Sequence, residues 1–114
     1  MRYLALLAVL LVLAVSGCSY YDRPQDVDCD ADYLQDRVQR DLCYYNKSVI
    51  SYSAIMCKDK IDNATLRDRC IDDVAIALGD FYPCRQHDKP SKRDACEAKV
   101  GESRREDRRN DGAV

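Results

Sequence analysis

Apolar residues recur at helical spacing in the middle of the chain and predict one amphipathic helix there. The residues on its apolar face are Leu66, Cys70, Val74, Ala77 and Leu78. Steps of three or four residues place most of them on a single face of an α-helix. Ile71 and Ala75 widen this face. The pattern therefore predicts a helix over residues 64–78.

Residues that favour helix ends flank this segment. Asp62 and Asn63 precede it, and either side chain can accept a hydrogen bond from an unpaired amide of the first turn. Gly79 follows it, and glycine adopts the left-handed conformation of a helix C-terminus without strain. A shorter helix over 57–61 is expected before the turn, so that the two helices form a hairpin.

Two other segments carry related patterns. Upstream, apolar and tyrosine side chains at helical spacing predict a longer helix over 37–55. The residues on its face are Val38, Leu42, Tyr45, Val49, Tyr52 and Met56. Downstream, Pro90 occupies a position where the first turn of a helix tolerates proline, with Asp88 or Lys89 before it.

The cysteines divide this region into three copies of one unit. After Cys18 the remaining six are Cys29, Cys43, Cys57, Cys70, Cys84 and Cys96. The second cysteine of each unit ends a matched tetrapeptide, and the three are Arg40-Asp41-Leu42-Cys43, Arg67-Asp68-Arg69-Cys70 and Arg93-Asp94-Ala95-Cys96. We therefore divide the region into repeats 29–56, 57–83 and 84–100. The Arg-Asp pairs form either a solvated face with local ion pairs or a repeated bridge to the neighbouring hairpin.

The hairpins select one disulfide pairing among the fifteen that six cysteines allow. A turn near Asn63 brings Cys57 and Cys70 to nearly the same height. Pairing Cys70 with Cys84 would instead span most of a helix at about 1.5 Å per residue, beyond the usual Cα separation of about 5.5–6 Å. The predicted pairs are Cys29–Cys43, Cys57–Cys70 and Cys84–Cys96. Each closed loop is worth about 3 kcal/mol, which matters for a chain with so thin an apolar core.

These patterns predict an all-α fold, in which three short disulfide-stapled helical hairpins stack as a small solenoid or bundle. The arrangement over residues 29–100 resembles the cysteine-containing helical-hairpin repeats of many uncharacterised exported prokaryotic proteins. It is loosely similar to tetratricopeptide-type solenoids, although the repeat is shorter and the chain has no Trp. The resemblance implies an architecture and no particular activity.

The first 17 residues have a different character. A short positive start, Met1-Arg2, precedes an unbroken apolar run over 3–15. This run is shorter than the roughly 20 residues that a transmembrane helix needs, and it is typical of a signal peptide, which we place at residues 1–17.

The segment Val15-Ser16-Gly17-Cys18 resembles the lipobox of bacterial lipoproteins, with Val in place of the more usual Leu. The resemblance implies that a signal peptidase cleaves before Cys18 and that the Cys18 thiol carries a diacylglyceryl group. Setting Cys18 aside turns seven cysteines into an even six. Two or three acyl chains would anchor the protein firmly to a membrane.

The segments that flank the repeats lack a pattern of their own. Residues 18–28 contain Pro24 and show no helical periodicity, which favours a tether between the lipid anchor and the folded part. Residues 101–114 carry almost nothing apolar and are expected to be disordered, with a helix continuing through Arg109 as the alternative.

The charge balance excludes several kinds of partner. The chain has 18 basic and 20 acidic residues and a formal net charge of −2. A nucleic-acid-binding domain would instead show a basic excess. Residues 101–114 contain as many acidic as basic side chains, which excludes a polybasic membrane-binding tail. Membrane contact is therefore expected through the lipid anchor alone.

Few residues indicate catalysis or ligand binding. His87 is the only histidine, and we expect it at the surface. Cys84-x-x-His87 is half of a zinc site and competes with a disulfide. The acidic pair Asp72-Asp73 is interpreted as a solvated face. We therefore expect no catalytic site, no metal and no cofactor, and the protein is not expected to be an enzyme.

Two further features have alternative interpretations. The chain has eight tyrosines, one Phe and no Trp, and Tyr44, Tyr45 and Tyr52 form either part of the core or an amphipathic contact surface. Asn46-Lys47-Ser48 and Asn63-Ala64-Thr65 match the N-glycosylation sequon. Whether the sequons are used stays open, and Asn63 is better explained as a helix cap.

The sequence thus predicts a lipid-anchored protein of the cell envelope that acts as a structural or protein-interaction module. It would be exported and held on the outer side of the cytoplasmic membrane or on the outer membrane, with an envelope protein as candidate partner. The alternatives are a small ligand- or ion-binding protein and an accessory subunit of an envelope enzyme. The partner, the host and the oligomeric state stay open.

Overall fold

The structure, a computed structural model, describes residues 27–112 and is all-helical over that range. Its elements are α1 (Cys29–Asp32), α2 (Arg37–Ser51), α3 (Ala54–Lys60), α4 (Ala64–Leu78), a 3₁₀ helix (Tyr82–Gln86) and α5 (Pro90–Asp111). The predicted all-α fold is confirmed. The signal peptide, the lipobox and all of the tether except its last two residues lie outside the described residues.

The helices form three consecutive hairpins. We call them the first hairpin (29–51), the second hairpin (54–78) and the third hairpin (82–111). Within them α1 packs against α2, α3 against α4, and the 3₁₀ helix against α5. Helix α4 is central, because it also contacts α2 and α5. Each hairpin therefore packs against the next one along the chain.

Helix α4 has the predicted bounds and the predicted caps. The Asn63 side chain accepts a hydrogen bond from the Leu66 amide at 2.9 Å, which satisfies one of the unpaired donors of the first turn. Gly79 adopts φ +61°, and its amide donates to the Ile76 carbonyl. Pro90 likewise begins α5, as expected, after Lys89.

The prediction of one continuous helix over 37–55 is wrong. Helix α2 ends at Ser51, Tyr52 adopts a left-handed conformation at φ 55°, and a new helix begins at Ala54. The Ser53 side chain caps that new helix by accepting a hydrogen bond from the Met56 amide. Residue spacing did not reveal the break, since a break of only two residues, Tyr52 and Ser53, preserves much of the apolar periodicity. The second hairpin consequently begins three residues before Cys57.

The expected disorder is corrected for residues 101–111, because α5 continues to Asp111 and the alternative of a longer helix holds there. Residues 113–114 lie outside the described residues. Arg104 attaches this extension to the loop that follows α4. Its guanidinium donates to the Gly79 carbonyl and lies 4.6 Å from the centre of the Phe81 ring. Arg, Glu and Lys have high intrinsic helix propensity, so a sequence without apolar residues can propagate a helix that is already nucleated.

A disulfide joins the two helical segments of each hairpin. The pairs are those predicted, Cys29–Cys43, Cys57–Cys70 and Cys84–Cys96, with Cα separations of 5.7, 5.7 and 5.6 Å. These values are typical of disulfides in proteins. The half-cystines also supply much of the buried volume, since five of the six are almost fully inaccessible.

The core consists of two apolar clusters. The larger contains Cys29, Tyr44, Ala54, Cys57, Ile61, Cys70, Ile71 and Val74, and the smaller contains Ala75, Cys84, Cys96 and Val100. The three tyrosines expected either in the core or on a contact surface differ in burial. Tyr44 is buried in the core, Tyr45 is half-buried and Tyr52 is exposed. Within residues 27–112, no helix has the length and apolar character needed to cross a bilayer.

Candidate functional site

The arginine of the repeated tetrapeptide closes its own hairpin in the second and third units. Arg67 Nε donates to the Ile61 carbonyl at 2.9 Å, and Arg93 Nε donates to the His87 carbonyl at 2.8 Å. Both acceptors lie six residues before the arginine. The two contacts are therefore equivalent and hold the turn against the N-terminal half of the following helix.

The aspartate of the tetrapeptide forms the bridge to the neighbouring hairpin. Asp41 is buried, and its carboxylate accepts the backbone amides of Asp62 at 3.2 Å and Asn63 at 2.9 Å. Asp68 pairs with Lys92 of the third hairpin. Asp94 is exposed. The bridging interpretation therefore holds for the first two aspartates.

Two tyrosines complete the contacts around α2. Tyr44 Oη donates to Asp30 at 2.7 Å, and Tyr45 Oη donates to Asp73 of the second hairpin. Burial, together with the Asp30 carboxylate, raises the pKa of Tyr44 to about 12. The hydrogen bonds from Tyr44 and Arg40 lower the pKa of the Asp30 carboxyl. The hydrogen bond to Asp73 raises the pKa of the Tyr45 phenol, with burial as a second cause.

The prediction of a surface histidine is wrong, since His87 is 2% exposed. Its Nε2 lies 2.7 Å from Asp72 Oδ1, and its Nδ1 lies 3.4 Å from Asp68 Oδ1 at an angle outside that of a hydrogen bond. Asp72 also binds Lys99 at 2.5 Å. The imidazole therefore lies between two carboxylates, each of which has a lysine as second partner.

The interpretation of Asp72-Asp73 as a solvated face is corrected by these contacts. The Asp72 side chain is 13% exposed and binds His87 and Lys99, while Asp73 accepts the hydrogen bond of Tyr45. The two carboxylates point in different directions because they are neighbours on a helix. Each therefore serves a different junction between hairpins.

Opposing effects act on the pKa of the Asp68 carboxyl. Burial acts to raise it, because a low-dielectric environment disfavours the charged form. The hydrogen bond and charge of Lys92, with a smaller contribution from His87, act in the other direction and prevail. The pKa of Asp68 therefore lies below its ordinary value of 3.8.

His87 takes the position that an isoleucine holds in the second hairpin. Ile61 lies nine residues before Cys70, His87 lies nine residues before Cys96, and both are almost fully buried. Aligning the repeats backward from their second cysteines would have predicted a buried histidine. The sequence thus contains the signal, although a histidine beside a turn is ordinarily expected at the surface.

The buried histidine cluster does not suit a metal or a catalytic role. Ligand atoms of Asp72, His87 and Cys96 lie within 4.8 Å of one another. However, the Cys96 sulfur is bonded to Cys84, so it offers no thiolate, and Lys99 already pairs with Asp72. A substrate would also find His87 inaccessible. The cluster is accounted for as an ionic contact between the second and third hairpins.

A groove of about 610 Å³ lies between α2 and α4. Its lining is largely apolar, with Val38 and Leu42 from α2 and Leu66 from α4. The polar residues that also line it are Arg37, Asp41, Asp62, Asn63, Thr65 and Arg69. Val38 is 68% exposed and Leu42 is 39% exposed. We call this surface the α2–α4 groove.

The repeat architecture itself does not require the apolar side chains of the groove. At the positions equivalent to Val38 and Leu42, the second hairpin has Thr65 and Arg69. The third hairpin has Lys92 where the second has Leu66. The junction between the second and third hairpins thus packs with polar residues at all three positions. Exposed apolar residues that packing does not demand are typical of binding surfaces.

A second, smaller apolar surface of about 250 Å³ lies where α3 begins and α4 ends. Its exposed apolar side chains are Tyr52, Ile55, Leu78 and Tyr82. It is far smaller than the α2–α4 groove, and we use Leu78 below as a control position.

Comparison of the chain with known proteins finds no relative. No family model, no curated protein and no solved structure matches it. The functional proposal therefore draws on the sequence motifs and on the geometry of residues 27–112.

Proposed function

We propose that this chain is a lipid-anchored protein of the cell envelope that binds another envelope protein through the α2–α4 groove. The observation that carries the proposal is the apolar lining of the groove by Val38, Leu42 and Leu66, for which the equivalent junction has Thr65, Arg69 and Lys92.

The charges at the groove indicate the chemistry of the partner. Asp41 is buried, so the exposed charged side chains that line the groove are Arg37, Arg69 and Asp62. Arg69 pairs with Asp73 at 3.7 Å and Asp62 with Arg40 at 3.2 Å, which leaves two basic side chains against one acidic side chain. The accessible charge beside the apolar walls is therefore mainly basic. An amphipathic helix with apolar residues at three- and four-residue spacing and acidic residues beside them complements this surface.

The disulfides favour binding without reorganisation. Cys29–Cys43 and Cys57–Cys70 hold the two hairpins that form the groove, and Asp41 fixes the second hairpin against α2. A surface that is already ordered loses little conformational entropy when it binds. The scaffold is therefore suited to presenting the groove rather than to enclosing a small ligand.

Two features support the lipid anchor in this proposal. The segment Val15-Ser16-Gly17-Cys18 resembles a lipobox, and the other six cysteines are accounted for by three disulfides. An oxidising compartment outside the cytoplasm suits such disulfides. We propose no catalytic step, because the single histidine is buried between carboxylates.

The groove is tested by photocrosslinking in intact cells with the full chain. A photoreactive residue replaces Leu42, and a matched chain carries it at Leu78, which is similarly exposed on α4. We expect one discrete adduct at position 42, mapped to an amphipathic segment with acidic flanks, and none at position 78. Introducing Val38→Asp into the position-42 chain should remove the adduct.

Three outcomes would overturn the groove proposal. They are equal adducts at positions 42 and 78, an adduct at position 42 that survives Val38→Asp, and an adduct with a small molecule or lipid alone. The anchor is tested separately by metabolic labelling with a fatty acid. Wild type should incorporate label and Cys18→Ala should not, and equal labelling of both chains would rule out the anchor.

A further inference from the structure

At both junctions between hairpins, the residue nine positions before the second cysteine of the later hairpin is buried. In the second hairpin this residue is Ile61, which belongs to the core cluster that contains Tyr44 of the first hairpin. In the third hairpin it is His87, whose ring binds Asp72 of the second. Both are at most 2% exposed. The second and third hairpins thus each bury this side chain at the junction with the hairpin before it.

The junctions share two further contacts. The aspartate two residues before the second cysteine contacts the next hairpin near the start of its second helix. Asp41 accepts the Asp62 and Asn63 amides ahead of α4, and Asp68 pairs with the Lys92 side chain in the first turn of α5. In addition, the residue two positions after the second cysteine of one hairpin binds a residue of the following hairpin. That partner lies three positions after the second cysteine of its own hairpin. The pairs are Tyr45 with Asp73 and Asp72 with Lys99.

At each end of the stack, one of the two surfaces that form such a junction has no hairpin packed against it within the described residues. The first hairpin has Leu34 at the inserting position, and Leu34 is 81% exposed although both of its equivalents are buried. The third hairpin has Asp94 and Ala98 at the receiving positions on α5, and both are exposed. We call the first of these the Leu34 end and the second the Asp94 face.

We propose that the chain associates head to tail, with the Leu34 end of one copy docking on the Asp94 face of the next. The interface continues the contacts that already join hairpins within the chain, with a second copy as the occupant. Asp94 takes the place of Asp41 and accepts the Gln35 amide, the equivalent of the Asp62 amide that Asp41 accepts, while the Asp36 amide stays bonded to the Tyr33 carbonyl. Leu34 covers Ala98, which is the equivalent of the Asp72 that His87 contacts at the second internal junction.

The Asp94 face has room for the incoming leucine. The residue five positions after the second cysteine is Ser48 in the first hairpin and Ala75 in the second, and both are 0% exposed. Ala75 belongs to the core cluster that contains Cys84, Cys96 and Val100 of the third hairpin. In the third hairpin it is Gly101, which is only half-buried, and a Cβ added there would meet nothing within 4 Å. The receiving surface is therefore shallow and made of small residues.

The symmetry of this contact gives it a distinctive consequence. The two surfaces that meet are different, so each added copy exposes the same pair of surfaces again, and the assembly is an open row rather than a closed dimer. Repeat proteins usually end in polar capping units, whereas this stack presents an exposed Leu34 at one end. Attachment to a membrane would favour the row by raising the local concentration.

This association is independent of the proposed partner of the α2–α4 groove. The groove residue Val38 has Thr65 and Ser91 as its equivalents, and both stay exposed beside the internal junctions. A substitution at Val38 should therefore leave head-to-tail association intact. Failure of the one proposal can thus be distinguished from failure of the other.

Analytical ultracentrifugation of residues 18–114 bearing Cys18→Ala, the chain expected after signal-peptide cleavage, tests the proposal over a concentration series without a contribution from lipid. We expect a mean mass that rises with concentration beyond that of a dimer. Leu34→Asp and Asp94→Lys should each weaken association at least about tenfold. An equimolar mixture of these two variants should form dimers and nothing larger, because it retains one intact pair of surfaces.

Two control variants and three possible results would separate head-to-tail association from the alternatives. Leu78→Asp and Asp107→Lys place the same charge changes elsewhere and should leave association unchanged, and circular dichroism should show that every variant is folded. A wild type that stays monomeric overturns the proposal, and so does a mixture that stays monomeric. Loss of association in Leu34→Asp with none in Asp94→Lys would indicate a symmetric dimer instead and would also overturn it.

Discussion

The aspartate that joins the first two hairpins offers the most direct test of how the stack is held together. Asp41 is 4% exposed, and its two oxygens accept backbone amides that immediately precede α4. A negative charge is favourable at this end of a helix. We predict that Asp41→Ala destabilises the protein far more than Asp94→Ala, although both residues occupy the same position in their repeats.

The magnitude follows from the two hydrogen bonds. A hydrogen bond to a charged group is worth about 1.5–3 kcal/mol, and the amides left behind in Asp41→Ala lie in a turn that water can partly reach. We therefore expect a loss of about 2–4 kcal/mol. Asp41→Asn retains one acceptor oxygen and should lose about half as much. Asp94→Ala should change stability by less than about 0.5 kcal/mol, as exposed substitutions usually do.

Urea unfolding with the disulfides intact measures these differences. The comparison is well matched, because the gain in helix propensity from Asp to Ala is the same at both sites. Protein concentrations are kept low so that association does not contribute. Equal stabilities of Asp41→Ala and Asp94→Ala would refute the bridging role of this aspartate. A loss in Asp41→Asn as large as that in Asp41→Ala would show that the charge alone matters.

Three further predictions concern pH and the backbone. The pKa of Tyr44 is raised from 10.0 to about 12, so its contribution to stability is complete below pH 10.0 and is lost as the pH rises toward 12. The phenolate absorbance lost in Tyr44→Phe should therefore appear near pH 12 in wild type, and a midpoint near 10 would contradict this. The pKa of Asp68 is lowered, so its contribution is present above pH 3.8 and is lost as the pH falls through the lowered pKa. The stability of Asp68→Asn, measured by urea unfolding, should fall less steeply in acid than that of wild type, and parallel curves would argue against the shift. Gly79→Ala should cost about 1 kcal/mol, because Gly79 has φ +61°. Gly101→Ala should instead stabilise the isolated chain by up to about 1 kcal/mol, since it lies in a helix with open space around it. Thermal unfolding of both would show shifts in the same direction if this reasoning were wrong.

Local sequence alone determined the elements whose signals lie next to each other in the chain. Asn63 and Gly79 placed both ends of α4, because a cap acts through its own side chain or its own backbone conformation. The cysteine spacing determined the three disulfides, since a short hairpin brings only its own two cysteines to the same height. At Tyr52 local information failed, because a single left-handed residue ended a helix whose apolar period continued across it.

The tertiary structure alone decided which polar side chains face another hairpin. Asp41 and Asp94 belong to identical Arg-Asp motifs, yet one is buried and the other exposed, because only the first has a hairpin stacked on it. His87 is buried for the same reason, since Asp68 and Asp72 of the preceding hairpin offer it two carboxylates. Burial and ion pairing depend on neighbours distant in sequence, and a repeat can specify its own shape without showing which of its copies will have a neighbour.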